Sequence, residues 1–189
     1  MTPRHTHRVP PHRRGKVNVL VLGLGLLIVV PLLVLLASGF GTDPRAVPSM
    51  LEGKPAPSFR LQTLDGDAIA LEDLQGRPVV LNFWSTWCQP CRIEHPELQR
   101  AARSWPDVQF LGVIYNDEAD KSRRYLAQAG SAYPSLIDDG GRTAIAYGVA
   151  GVPETFLIGP DGVVAHKHVG PISMARLRQL LDPIRRGGR

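Results

Sequence analysis

Phe83-Trp84-Ser85-Thr86-Trp87-Cys88-Gln89-Pro90-Cys91-Arg92 decides the fold, because an apolar run ends there and a closely spaced cysteine pair follows. Upstream, residues 79–84 (VVLNFW) are almost continuously apolar, as a strand buried on both faces requires. Downstream, Leu98, Ala101, Ala102 and Trp105 recur at helical spacing, which predicts a helix from about Cys88 to Ser104. Residues at i and i+3 of a first helical turn share one face, so the two sulfurs can close a disulfide without moving the scaffold. Cys88 then sits where unpaired N–H groups and the positive end of the helix dipole favour thiolate, which makes it the expected attacking nucleophile. Cys91, one turn deeper, is the expected resolving cysteine. Pro90 suits the first turn, where a missing N–H is no loss. A bridge across so short a loop stabilises little, so the spacing points to reversible chemistry rather than to a staple.

Working outward, residues 108–115 (VQFLGVIY) predict a second buried strand and residues 121–129 a polar helix stopped by Gly130. Residues 142–147 suggest a short helix. Residues 154–159 (ETFLIG) and 163–169 predict strands joined by the Pro160-Asp161-Gly162 turn. Ser173 is placed to cap a last helix carrying Met174, Leu177, Leu180 and Leu181, expected to end near Pro183. Ahead of the main fold, residues 59–62 and 69–71 around Leu64-Asp65-Gly66 predict a short hairpin. This order implies an α/β domain with a mixed central sheet flanked by helices and an N-terminal hairpin extension.

The chain has 189 residues, 43% of them hydrophobic, enough for one well-cored domain and a tail. Its net charge of +5 is concentrated in Arg4, Arg8, Arg13, Arg14 and Lys16; without those five, the 22 Lys and Arg become 17 against 17 Asp and Glu. The basic excess is a tail and not a binding face, which removes the electrostatic argument for nucleic acid. Residues 17–37 (VNVLVLGLGLLIVVPLLVLLA) carry no charge and, at about 1.5 Å per residue, match a hydrocarbon core of about 30 Å. They are expected to form one transmembrane helix, with the positive tail on the cytoplasmic side and the domain outside. The rival is a cleaved signal peptide with Ala37-Ser38-Gly39 at its end, although the run exceeds an ordinary signal core. Both export the domain. Gly39, Gly41, Pro44, Pro48 and Gly53 mark a linker. The expected division is therefore 1–16 basic cytoplasmic tail, 17–37 transmembrane anchor, 38–54 linker and 55–189 catalytic domain.

Other chemistry fits the residues less well. Cys88, Cys91 and His95 have spacing suited to a soft metal, but no fourth ligand is evident, and no metal is expected. Covalent haem attachment would need histidine where Arg92 stands. Val152-Pro153-Glu154 precedes a strand. A cis proline there would open the backbone of Val152 to an extended peptide, while the pattern alone favours a trans, strand-opening proline. Glu94, one turn beyond Cys91, can accept a proton from a thiol or be a solvated helix glutamate. Asn82 is expected to face a polar neighbour, and His166 and His168, alternating with Ala165 and Lys167, to line a wet strand face. Tyr115, Asn116 and Asp117 follow a strand end, a favoured place for binding groups in α/β sheets.

The stretch 83–92 resembles the active site of thioredoxin-like proteins. Its continuation Cys91-Arg92-Ile93-Glu94-His95-Pro96, together with residues 148–158 (GVAGVPETFLI), is similar to one branch: the membrane-anchored thiol:disulfide interchange proteins of cytochrome c maturation, the CcmG/DsbE type. The resemblance runs from about Pro55 to the last helix. It implies a thioredoxin-like fold, Cys88 and Cys91 as the redox pair, Pro153 as a cis proline packed against them, and Glu94 and Glu154 as acidic residues flanking the site. Trp87, Gln89, Pro90 and Val152 become the candidate substrate-contacting residues. The redox-active disulfide itself is the reactive group, so no cofactor is expected. Oxidised apocytochrome c is the implied client, and a membrane thiol reductase the implied electron donor. Ordinary thioredoxins carry an aspartate where this chain has Asn82, which makes Glu94 the expected proton acceptor. A general extracytoplasmic thioredoxin with other clients, a thiol peroxidase (suggested by Lys54-Pro55-Ala56-Pro57) and a metallochaperone using Cys88, Cys91 and His95 are the competing functions.

Overall fold

The computed structural model describes residues 19–39 and 50–187. It divides into two units, Met1–Ala46 and Val47–Arg189. In the first, the backbone forms a 21-residue helix, α1 (Val19–Gly39). The side chains of Val19, Leu22 and residues 36–39 are not among those described, and among the described residues no helix is long and apolar enough to cross a membrane. The basic tail and most of the expected linker lie outside the described residues.

The second unit contains, in order, β1 (Arg60–Thr63), β2 (Ala68–Ala70), β3 (Val79–Trp84), α2 (Gln89–Ser104), β4 (Gln109–Ile114), α3 (Ala119–Ala129), β5 (Ser135–Ile137), α4 (Arg142–Ala146), β6 (Glu154–Ile158), β7 (Val164–Val169) and α5 (Met174–Gly187). The described strands form one sheet in the order β2-β1-β5-β4-β3-β6-β7. β3 pairs parallel with β4 and antiparallel with β6, and β4 pairs parallel with β5; the hairpin β1–β2 joins antiparallel to β5. The mixed sheet and the opening hairpin are those expected from the sequence.

Strand alternation sorts the core. Val79, Leu81 and Phe83 of β3 join Leu111, Val113, Phe156 and Ile158 on one face, closed by Tyr147 of the α4 turn and by Phe59. Val80 points the other way, with Phe110 and Leu157, onto Leu98 and Ala101 of α2, Trp105 at its C-terminal cap, and Leu177 and Leu181 of α5. Burying a side chain such as Leu81 or Leu157 contributes roughly 1.5–3 kcal/mol. β3, between β4 and β6, is therefore buried on both faces, and its odd and even residues address different layers.

Two elements depart from the sequence expectation. The short strand β5 has no signal of its own in the sequence: Ser135-Leu136-Ile137 follows Pro134 and is too brief for a period to show. It exists because Leu136 enters the core and its backbone is claimed on both sides by β4 and β1. The last helix does not end near Pro183 but continues to Gly187. Proline removes one N–H, and the turn beyond it is held from outside the helix: Ile184 packs on the core, and Arg185 places two N–H groups on the Asp107 carboxylate at 2.8 and 2.9 Å.

Candidate functional site

β3 and β4 end side by side, Trp84 opposite Ile114, and the loops leaving their C-terminal ends meet. Ser85 Oγ donates to the Tyr115 carbonyl at 2.5 Å. The Thr86 N–H and hydroxyl both donate to Asp117 Oδ2 at 2.6 Å. The Trp87 indole donates to the Asn116 carbonyl at 3.1 Å, and Asn116 turns the loop with φ of 45°, a region that asparagine tolerates. Arg92 closes the ring, its Nε donating to the Thr86 carbonyl at 3.0 Å while its guanidinium lies 5.4 Å from the Tyr125 ring centre. Residues 115–117 are thus the brace of the cysteine loop. No spacing in the sequence marks Thr86 or Arg92 for this part.

Cys88 is the N-cap of α2 in extended conformation, Gln89 and Pro90 open the helix, and both are exposed. Cys88 and Cys91 are joined in a disulfide with their Cα atoms 5.3 Å apart. The Cys91 N–H donates to Cys88 Sγ at 3.1 Å, so a helix-terminal donor faces that sulfur, a position that favours charge on it. The two differ little in depth, with 4% of Cys88 and 3% of Cys91 exposed. The cap position, more than depth, sets them apart. Trp87 beside them is 60% exposed. Val152, half-buried, packs against the cluster of Trp84, Cys88, Cys91, Ile114 and Leu126. The Val152–Pro153 peptide is cis, where the local pattern alone favours trans; Pro153 is buried, and its carbonyl accepts the Gly170 N–H at 2.9 Å.

Glu94 is not a solvated helix residue. The buried stripe of α2 runs through Cys91, Glu94, His95, Leu98 and Ala101, so its period carries the carboxylate inward. Oε1 accepts from Asn82 Nδ2 at 2.8 Å, and Oε2 accepts the Ile172 N–H at 2.9 Å. Asn82 Nδ2 also donates to Thr155 Oγ1 at 3.0 Å. Burial pushes the Glu94 carboxyl up to about 7, against the opposing pull of the Ile172 N–H and the Asn82 amide. His95 is turned elsewhere: its Nε2–H donates to the Gly130 carbonyl at 3.0 Å and its ring packs edge-on against Tyr125, while burial pulls its pKa down. Among the described residues no three His, Cys, Asp or Glu side chains are grouped to hold a metal ion.

The structure separates Glu154 from Glu94. Successive residues of β6 point to opposite faces, so Thr155 meets Asn82 on the α2 side while Glu154 lies on the other face with Phe156. There Glu154 Oε2 is ion-paired with Lys167 at 2.8 Å, and Oε1 accepts the Ala150 N–H at 3.2 Å. Lys167 donates in turn to the Gly148 carbonyl at 2.9 Å. The strand 164–169 is also drier than its pattern suggests: His166 and His168 are half-buried, and His166 Nδ1 lies 3.2 Å from Glu52. Lys167, which alternates with those histidines onto the other face, is half-buried as the partner of a buried carboxylate, a pairing the alternation does not reveal.

Residues 53–167 match the model of the AhpC/TSA family. The chain is similar to the thiol:disulfide interchange protein DsbE of Pseudomonas aeruginosa, with 38% identity over 88% of this chain and 92% of that one. It is 37% identical to the protein of that name from Escherichia coli K12, over 90% of this chain and 94% of that one. Among solved structures, a thiol:disulfide interchange protein of the thioredoxin family from Chlorobium tepidum superposes with a TM-score of 0.63 at 30% identity, covering 76% of this chain and 99% of that one. With a disulfide whose Cys88 caps the helix that follows β3, and with relatives matched over nearly their whole length, the chain belongs to the AhpC/TSA family and is a thiol:disulfide oxidoreductase of thioredoxin-like fold.

Proposed function

We propose that the chain is a membrane-anchored reductant of oxidised apocytochrome c on the extracytoplasmic side of the cytoplasmic membrane. The observation that supports this most is the helix cap: Cys88 Sγ receives the Cys91 N–H at 3.1 Å, beside an exposed Trp87 and a half-buried Val152. In the reduced protein, the Cys88 thiolate attacks one sulfur of the client disulfide, and the other client sulfur leaves as thiolate and takes a proton from solvent. Cys91 then gives its proton to Glu94 and attacks Cys88 Sγ. The bond to the client breaks, the client leaves with both thiols reduced, and the Cys88–Cys91 disulfide of the resting protein forms. A membrane thiol reductase returns the two electrons. A carboxyl group near neutrality is matched to that proton transfer. Trp87, Gln89, Pro90 and the Val152 backbone are the contacts for an extended client segment, with Pro153 holding Val152 in place and Glu154 fixing the loop from the opposite face. Residues 17–37 serve as the anchor, 1–16 as its cytoplasmic flank and 38–54 as the tether.

In the organism of origin, replacing Cys88 by serine is expected to abolish holo-cytochrome c, with recovery on adding an external thiol. Normal holo-cytochrome c in that strain would overturn the client assignment. A Cys91→Ala variant should retain the client as a mixed disulfide. Carbonate-resistant membrane association of the intact chain checks the anchor.

A further inference from the structure

Glu94 is buried, and both of its oxygens face donors, Asn82 Nδ2 on Oε1 and the Ile172 N–H on Oε2. That arrangement satisfies a carboxylate. A protonated carboxyl is an O–H donor, and one of the two facing groups must then accept. The Ile172 N–H belongs to the backbone and cannot reverse its polarity. The Asn82 carboxamide can, because turning it over about its last torsion exchanges NH2 for C=O in nearly the same volume. Its second partner tolerates the change: Thr155 Oγ1 now accepts from Nδ2 at 3.0 Å, and its hydroxyl can equally donate to Oδ1. Asn82 and Thr155 are both buried, so water does not stand in for either.

We propose that the Asn82 carboxamide turns over when Glu94 gains or loses its proton, that Oε1 is the atom carrying that proton, and that Asn82 is the positioning residue that keeps the group satisfied in both states. This rests on the role given to Glu94 above. Aspartate at position 82 would add a second acid 2.8 Å away, and leucine would leave Oε1 without a partner. Asparagine with a hydroxyl behind it is the pair that is complementary to both forms.

The other titratable groups around Glu94 are few. On α2 they are Cys91, bonded to Cys88, and His95, turned to the Gly130 carbonyl. Tyr133 lies close enough that burial, together with the Glu94 charge, raises its phenol. His168 stands opposite Thr155 in the β6–β7 register, with its pKa lowered by burial and by the positive charge of Arg176. None of these makes a hydrogen bond to Glu94 among the described residues.

The test uses the full-length chain, labelled with carbon-13 and nitrogen-15 and kept oxidised so that neither cysteine titrates. The Glu94 carboxyl carbon shift and the hydrogen-bond scalar coupling from Asn82 Nδ2 to that carbon are followed against pH. The coupling is expected above the Glu94 midpoint and lost below it, both signals sharing one midpoint. Asn82→Leu should leave the Glu94 midpoint within about threefold in proton affinity, because each protonation state loses one partner, whereas a fixed donor serves the carboxylate alone and its loss would raise the midpoint about tenfold. A coupling that persists unchanged through the Glu94 titration overturns the amide reversal, as does a rise of about tenfold in proton affinity in Asn82→Leu. Either result leaves the disulfide chemistry standing, since the Cys88→Ser experiment tests that separately.

Discussion

Lys167 bridges the loop that carries Pro153. Its ammonium lies 2.8 Å from Glu154 Oε2 and donates to the Gly148 carbonyl at 2.9 Å, while Glu154 Oε1 takes the Ala150 N–H. One charge pair therefore fastens residues 148–153 from the sheet face opposite Glu94. The loop in turn holds Val152 against the two cysteines.

Lys167→Met removes the counter-charge from a buried carboxylate, and breaking such a pair costs about 3 kcal/mol. Urea unfolding should show that loss, and the double variant with Glu154→Gln should recover most of it. If single and double variants unfold at the same urea concentration, the pair does not hold the loop.

Glu94 makes stability depend on pH in a defined direction. Its carboxyl is raised to about 7 in the folded protein, from an ordinary 4.5. Between those values the folded chain holds a proton that the unfolded chain has released. This contribution is fully present below pH 4.5 and is lost as the pH climbs through about 7, a change on the order of 3 kcal/mol. Glu94→Gln should flatten this part of the stability profile. A wild-type profile that rises over the same interval contradicts the burial argument.

Asp117→Ala leaves the Thr86 N–H and hydroxyl without their acceptor, a loss of about 1–3 kcal/mol for groups this enclosed. Because Thr86 leads into the cysteine loop, the variant should also reduce a model disulfide several-fold more slowly. An unchanged melting temperature together with an unchanged rate would show that the brace is dispensable.

Gly112 has no room for a side chain. A Cβ there would lie 2.8 Å from Trp84 Nε1 and 3.0 Å from Ser135 Oγ. Gly112→Ala should destabilise the domain by about 1–3 kcal/mol through overpacking, measured by thermal unfolding. It should also disturb Trp84 fluorescence, since the indole has to move away.

The fold is legible where periods are long and unambiguous. The apolar run 79–84 and the stripe from Leu98 to Trp105 mark β3 and α2 nearly residue for residue. The same stripe, extended backward through Leu98, His95, Glu94 and Cys91, is enough to bury Glu94, but a charged residue next to a histidine disguises it as surface. The Cys88–Cys91 disulfide is legible because its closure depends on local spacing alone. The brace at Asp117 and the Lys167 pair are not, because they join residues 31 and 13 positions from their partners by contacts that leave no period. β5 falls to the same limit, a three-residue strand fixed by its neighbours rather than by its own pattern.

The alternation along β6 also guards against misassembly. If that strand slid by one residue against β3 so that Glu154 stood opposite Asn82, its carboxylate would leave the Lys167 ammonium and arrive beside Glu94, two acids in a dry interior with no cation between them. Bringing the two carboxyls together in that interior disfavours the slipped register. The position of one charge along β6 thus helps to fix the strand's register.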